Sequence, residues 1–160
     1  MSKKNNTTDR NILINKKAAF DYEFVEKIEC GIVLEGTEVK SLREGRASFG
    51  SSYIKIQGNR MILMGFTIQP YSLGGSVFNH APMRERYLLI KKQEMKHLRR
   101  KVEEKGMTII PYRLYFKENL IKLEVCLCKG RDYSGKKQLL KERDIQRDAQ
   151  REIKNIKRLS

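Results

Sequence analysis

Residues 107–129, MTIIPYRLYFKENLIKLEVCLCK, decide the fold class. Apolar and polar residues alternate on both sides of Lys117-Glu118-Asn119, a pattern with the period of a β-strand. Residues 107–117 and 119–129 therefore read as two antiparallel strands around a tight turn. In the second strand Ile121, Leu123, Val125 and Leu127 share one face, while Lys122, Glu124, Cys126 and Cys128 share the other. One face is thus set to bury and the other carries polar and small residues.

Upstream, the chain continues in short strands. Residues 29–35 (ECGIVLE) form an apolar run. Residues 50–57 and 60–68 read as a hairpin around Gly58-Asn59, with Ile62, Met64, Phe66 and Ile68 in one row. Pro70 to Pro82, with Gly74, Gly75 and Asn79, reads as a long loop, and Tyr87 to Ile90 as a short buried strand. Two helices interrupt the pattern. One covers residues 37–43, with Thr37 as the predicted N-cap and Gly45 as the stop. The other covers 93–105, with Met95, Leu98 and Val102 on one stripe and Gly106 at its end. Short strands, one long loop and two helices predict a mainly β protein with flanking helices. The expected form is a closed antiparallel barrel of the oligonucleotide-binding type.

The flanks differ from this body. Residues 1–14 (MSKKNNTTDRNILI) read as a flexible basic arm, 15–130 as the barrel and 131–160 as a tail. Residues 136–160 hold nine Lys/Arg against four acids. Ile145, Ala149, Ile153 and Ile156 make a narrow stripe on a helix whose other faces are charged. So little apolar surface predicts a tail disordered when free and helical when bound.

The 160 residues carry 34 Lys+Arg against 19 Asp+Glu, a formal charge of +15. The tail holds +5 of this, the segment through Lys17 holds +4, and the barrel the remaining +6. Such an excess implies a polyanionic partner, nucleic acid before an anionic membrane surface. No apolar run is long enough to span a bilayer, and no apolar leader follows Lys3 and Lys4, so a cytoplasmic protein is expected. Cys30, Cys126 and Cys128 are odd in number, and neither they nor His80 and His97 have metal-ligand spacing. Neither a disulfide framework nor a bound metal is expected.

Gly130-Arg-Asp-Tyr-Ser-Gly135-Lys136 imitates a phosphate loop, but Lys137 stands where a Ser or Thr hydroxyl must hold magnesium. A polar helix follows instead of a βαβ unit, so this is read as a hinge. No acid–base constellation can be assembled around one loop histidine. The chain is expected to have no catalytic residues and no cofactor. Tyr71, Phe78, His80, Arg84, Arg86 and Tyr87 gather rings and cations around the long loop, a mixture that suits unstacked bases and phosphates.

Several blocks occur in a telling order. They are Asn15-Lys16-Lys17-Ala18, Glu29-Cys30-Gly31-Ile32-Val33-Leu34 and Gly36-Thr37-Glu38-Val39-Lys40-Ser41-Leu42-Arg43 with Gly45. Then come Phe78-Asn79-His80-Ala81-Pro82-Met83-Arg84-Glu85-Arg86, Lys105-Gly106, Tyr115-Phe116-Lys117, Lys129-Gly130 and Lys141-Glu142-Arg143-Asp144. Over residues 14–158 the chain resembles the SsrA-binding protein (small protein B, SmpB) family. The resemblance implies an oligonucleotide-binding-type barrel that binds the tRNA-like domain of transfer-messenger RNA (tmRNA). With alanyl-tRNA synthetase and elongation factor Tu, such a protein serves trans-translation, the rescue of stalled ribosomes with tagging of the unfinished peptide. It implies a tail that enters the empty mRNA channel and folds beside the decoding centre, against small-subunit rRNA, with no membrane partner.

By motif match, Asn15, Lys16, Glu29, Gly31, Lys122, Lys129, Gly130 and Arg131 are the expected RNA-binding residues, with His80, Arg84 and Arg86 beside them. Glu29 is expected to accept hydrogen bonds from RNA, the alternative being a salt bridge to a neighbouring cation. Tyr133, Lys136, Lys137, Lys141, Arg143, Arg147, Arg151 and Lys154 are the expected ribosome-binding residues of the tail. The family often has an aromatic or His followed by Asp-Lys-Arg where this chain has Ser134-Gly135-Lys136-Lys137, so Tyr133 is the candidate to supply the ring.

Overall fold

The 107–129 stretch folds as expected in the computed structural model, which describes residues 9–131 and 133–159; the side chains of 133–139, 152 and 155–159 lie outside the description. In chain order the elements are β1 (Arg10–Ile14), α1 (Lys16–Asp21), β2 (Tyr22–Ile32), α2 (Gly36–Arg43), β3 (Ala47–Ser48) and β4 (Tyr53–Gln57). These are followed by β5 (Arg60–Met64), β6 (Thr67–Ile68), β7 (Arg86–Leu89), α3 (Lys92–Lys105), β8 (Thr108–Lys117), β9 (Leu120–Gly130) and α4 (Tyr133–Leu159). β8 and β9 pair from Thr108↔Cys128 to Lys117↔Leu120, and Glu118 turns the chain at φ 58°. Pro111 has no N–H to give a ladder. It sits beyond the last β1 pair and beside a bulge, where a strand tolerates it.

The main sheet runs β1-β8-β9-β2-β7-β5-β4, every pair antiparallel. It curls until β4 comes back beside β8, which gives the expected barrel of oligonucleotide-binding type. Leu123, Val125 and Leu127 face its interior with Leu114, Ile109, Met61, Leu63 and Leu88. From α3, Leu98 is fully buried in the same core while Met95 and Val102 pack against it, as the stripe predicted. Gly106 ends α3 in the left-handed region at φ 63°, a conformation glycine adopts without a Cβ clash.

The opposite face of β9 holds a second, smaller core. Ala18 of α1 covers Ile110, Cys126 and Cys128, with Tyr22, Phe24 and Tyr112 around them. The Phe24 and Tyr112 rings meet edge-on at 5.0 Å. Burial pushes the Cys126 thiol up to about 12 and the Cys128 thiol up to about 11, so both remain inert small apolar groups at neutral pH.

Five expectations need correction. The strand expected to be buried over Tyr87 to Ile90 is β7, Arg86–Leu89, and it buries one face only: Arg86 and Leu88 are enclosed while Tyr87 and Leu89 are exposed. Arg10–Ile14 is not part of a flexible arm: it pairs with β8, because Leu13 and Ile12 pack against the core. The rest of that arm, residues 1–8, lies outside the description. The predicted strand 60–68 breaks at Gly65, whose φ of 70° lies in the left-handed region that favours glycine, and β6 pairs with β3 instead. The predicted strand 50–57 begins only at Tyr53, after Gly50 turns the chain at φ 51°. The N-cap of α2 is Glu35, not Thr37: the Glu35 N–H donates to Glu38 Oε1 at 2.8 Å.

The tail is helical over Tyr133–Leu159. Ile145 and Ile153 of its stripe are more than half exposed, so the body does not cover them. Arg143 lies over the Phe20 ring of α1 at 5.8 Å. Among the described residues, no helix is long and apolar enough to cross a membrane.

Candidate nucleic-acid interface

Register brings the outward side chains of four strands into rows. Asn11, Tyr115, Lys122 and Gly31 lie across one row, and Leu89 of β7 follows Gly31. Arg113, Glu124 and Glu29 lie across the next. Gly31 has no side chain between Lys122 and Leu89. A Cβ there would meet Leu89 Cβ at 3.2 Å, closer than ordinary contact. The missing side chain opens a groove of about 620 Å³, walled by Glu29, Glu94, Lys122, Lys27 and Lys91.

Glu29 is one of two acids, with Glu94, that line this groove. It accepts hydrogen bonds from the Tyr115 hydroxyl and from Lys117 Nζ at 3.2 Å. Burial opposes its ionisation. The Tyr115 and Lys117 hydrogen bonds, with the Lys117 and Lys122 charges, outweigh it and hold the carboxyl below the usual carboxylate range. Burial and then the Glu29 carboxylate raise the Tyr115 phenol, so it stays a donor. The Arg113 guanidinium lies over the Tyr115 ring at 4.1 Å and reaches Asn11 Oδ1 at 3.0 Å and Glu124 Oε2 at 3.4 Å. The expected alternative for Glu29, an ion pair with a neighbouring cation, is thus present. Its side chain nevertheless stays 37% exposed at the groove mouth.

The other expected RNA-binding residues do not gather in this groove. Lys16, Lys129, Gly130 and Arg131 lie at the opposite end of the β2–β9 pair, where Tyr22 faces Gly130 and the Arg131 N–H donates to Asp21 O at 3.0 Å. Lys129 lies seven residue steps along the strand from Lys122, about 23 Å at ~3.3 Å per residue. Asn15 is buried as the cap of α1. Its Oδ1 accepts from Ala18 N–H at 3.1 Å and its Nδ2 donates to Pro111 O at 2.9 Å. It positions Lys16 and Lys17, which are exposed. Lys27, Arg113 and Lys117 join the surface, with the buried Tyr115 beneath them, although sequence reasoning did not select them. Their signal was the strand alternation, which puts 113, 115 and 117 on the face of Lys122.

His80, Arg84 and Arg86 are placed otherwise than expected. Arg86 is fully buried: its Nε donates to Glu38, its Nη1 to Phe66 O at 2.7 Å and its Nη2 to Pro82 O at 3.1 Å. Burial lowers the Arg86 pKa, against the raising effect of the Glu38 carboxylate. Arg84 donates to the same carboxylate, whose side chain has no exposure. Burial raises the Glu38 pKa, but the Glu35 N–H and the two guanidinium groups outweigh it and hold the group below its usual range. His80 is buried, its Nε2 2.9 Å from Ile68 O and its Nδ1 2.9 Å from Thr37 Oγ1. These residues fasten α2 to the long loop, and neither His80 nor Arg86 is open to an RNA phosphate. Phe78 is instead exposed at 84%, on a loop tied by Asn79 to Tyr71 and Gly75.

In the tail, Lys141, Arg143, Arg147, Arg151 and Lys154 are exposed on α4. The side chains of Tyr133, Lys136 and Lys137 lie outside the described residues.

Comparison with known proteins agrees with this architecture. The family model described as SmpB protein matches residues 12–155. The SsrA-binding protein of Treponema denticola is 53% identical over 140 residues, covering 88% of this chain and 90% of that protein. The SsrA-binding protein of Trichodesmium erythraeum is 41% identical, covering 96% and 99%. That of Borreliella burgdorferi is 44% identical, covering 92% and 97%. A chain of a solved structure described as "tmRNA-SmpB: a journey to the center of the bacterial ribosome" superposes with a TM-score of 0.64 at 41% identity. It covers 76% of this chain and 85% of that chain. With a family model matched across almost the whole body and tail, and relatives this similar end to end, the chain belongs to the SmpB protein family.

Proposed function

We propose that this chain is an RNA-binding factor of trans-translation in the cytoplasm. It binds the tRNA-like domain of tmRNA through the outer sheet face and carries it to stalled ribosomes. The observation that supports this most is the Gly31 groove, where a carboxylate is held ionised among lysines. Lys122, Lys117 and Lys91 attract the phosphate backbone, while Glu29 accepts hydrogen bonds from base amino groups or sugar hydroxyls. An acid that repels phosphate and accepts from bases confines binding to one register, which a purely cationic surface does not do. Lys16, Lys129 and Arg131, about 23 Å away along the strands, meet a second stretch of backbone. Alanyl-tRNA synthetase and elongation factor Tu act on the same RNA in the same pathway, and the chain itself contributes binding without a catalytic step or cofactor.

The tail reads ribosome occupancy. Its cations suit small-subunit rRNA lining the mRNA channel, and its exposed isoleucine stripe gains cover only there. A message in the channel fills the same space and competes for the same wall, so the tail settles near the decoding centre only when the message is missing. Removing residues 131–160 is expected to leave tRNA-like-domain affinity within a few-fold and to abolish peptide tagging in a reconstituted translation system. Loss of RNA affinity on truncation would overturn this division of labour.

A further inference from the structure

A hollow of about 450 Å³ opens where the last turns of α3 cross the seam between β4 and β8. Ile54 and Ile56 of β4, Val102 of α3, and Met107 and Ile109 around the start of β8 wall it, so its apolar lining is aliphatic and holds no ring. Arg99, Glu103 and Thr108 are its polar lining. One terminal guanidinium nitrogen of Arg99 is buried and finds no acceptor in the protein, and no carboxylate among the described residues pairs with it. A buried donor without an acceptor is uncommon, and this one belongs to a charged group beside an apolar hollow. Over residues 99–105 four cations stand against two acids. The hollow is separate from the Gly31 groove, which takes Lys91 and Glu94 from the start of α3. Glu94 and Val102 are eight residues apart, about 12 Å along the helix.

We infer that this hollow docks an acidic segment of a protein partner. One large aliphatic side chain of that segment fills the space between Ile54, Ile56 and Val102. A carboxylate next to it supplies the acceptor that Arg99 lacks. Two features select a peptide and not RNA. Aliphatic walls offer no ring on which a base could stack. Glu103 in the lining repels a run of phosphates but tolerates a single acid aimed at Arg99. An apolar anchor in a pocket with one charged hydrogen bond beside it is also how short peptides gain most of their binding energy. The cations at the end of α3 draw such a segment in and disfavour a basic one. RNA on the Gly31 groove leaves the hollow open, so the chain can hold RNA and a protein together.

The test titrates the full chain with a short synthetic peptide of alternating glutamate and leucine, followed by methyl NMR. Methyl resonances of Ile54, Ile56, Val102 and Ile109 are expected to shift, while those of Ile28 and Leu89 at the Gly31 groove stay in place. The same peptide with alanine for leucine is expected to bind about tenfold more weakly. Arg99→Gln is expected to weaken the leucine peptide at least about fivefold and to leave affinity for a synthetic tRNA-like domain of tmRNA within about twofold. Lys141→Gln in the tail is expected to change neither, which separates the hollow from the general attraction of a cationic chain. Thermal melts check that both variants fold. No methyl shift at about 1 mM peptide would overturn the inference. So would equal binding of the alanine peptide, which leaves charge alone. Arg99 also borders the β7 surface, and a loss of RNA affinity in Arg99→Gln without a loss of peptide affinity would give this residue to the RNA instead. Shifts of the same methyls with protein concentration in the absence of peptide would give the hollow to a second copy of the chain and overturn the acidic partner.

Discussion

Glu38 and Glu29 are both carboxylates held ionised by cationic or phenolic donors, yet one is enclosed and the other stands at an open groove. Glu38 has no exposed side-chain surface, and Arg86, which donates to it, has none either. Glu29 keeps more than a third of its side chain accessible, and Lys117 beside it nearly half. Each of the two motif blocks that carry them holds a single carboxylate in the sequence. Enclosure decides their use. A fully surrounded pair locks α2 to the strand that follows the long loop. A half-surrounded pair keeps spare hydrogen-bonding capacity for a partner.

The largest expected effect breaks the enclosed pair. Glu38→Ala strands Arg86 without its counter-charge, and such losses cost about 3–5 kcal/mol. Denaturant midpoints are expected to fall accordingly, while the folded fraction keeps its RNA affinity within about twofold. An unchanged midpoint would place Glu38 among the binding residues. The open groove should respond in the opposite way. Lys122→Glu is expected to reduce affinity for the tRNA-like domain about tenfold at moderate salt, with stability moved by no more than about 0.5 kcal/mol. Equal losses of stability and affinity would erase the distinction between the two regions.

The smallest effect sharpens the comparison by pH. Both carboxyls sit below their ordinary range when folded. Each therefore contributes stability above the unfolded value of about 4.3, and this is lost as pH falls through the folded value. Thermal midpoints are expected to stay level from pH 7 to about pH 5 and to drop in more acid solution. Glu38→Gln should remove more of that drop than Glu29→Gln, because solvent screens the exposed group. The reverse order would mean that the groove, not the buried network, fastens the fold.

Much of this architecture was legible in local patterns. The β8–β9 alternation, the Gly58-Asn59 turn and the Leu98 stripe of α3 each depend on neighbours a few residues apart. What escaped depends on distant partners. α1 has six residues, too few for a helical period, and it forms because Asn15 caps it and Pro111 accepts from that cap. β1 looked like a polar arm because its strand character appears only when β8 lies alongside. Arg86 looked like an RNA ligand because nothing near it in sequence reveals Glu38, 48 residues away. Glu29, Gly31 and Lys122 were selected by motif resemblance, and register makes them neighbours around one missing side chain. Tyr115 and Arg113 were missed because a strand face has no meaning until its opposite face is known to be the core.

Competition binding at fixed salt tests the central claim most directly, that the sheet face recognises a tRNA-like fold and not merely a polyanion. Labelled tRNA-like domain of tmRNA is displaced by itself, by tRNA or by unrelated RNA of equal length. Unrelated RNA is expected to compete on the order of 10³ times less well, with Glu29→Ala collapsing much of that ratio. A wild-type ratio near one, unmoved by Glu29→Ala, would contradict it and leave only a cationic barrel without a shaped site.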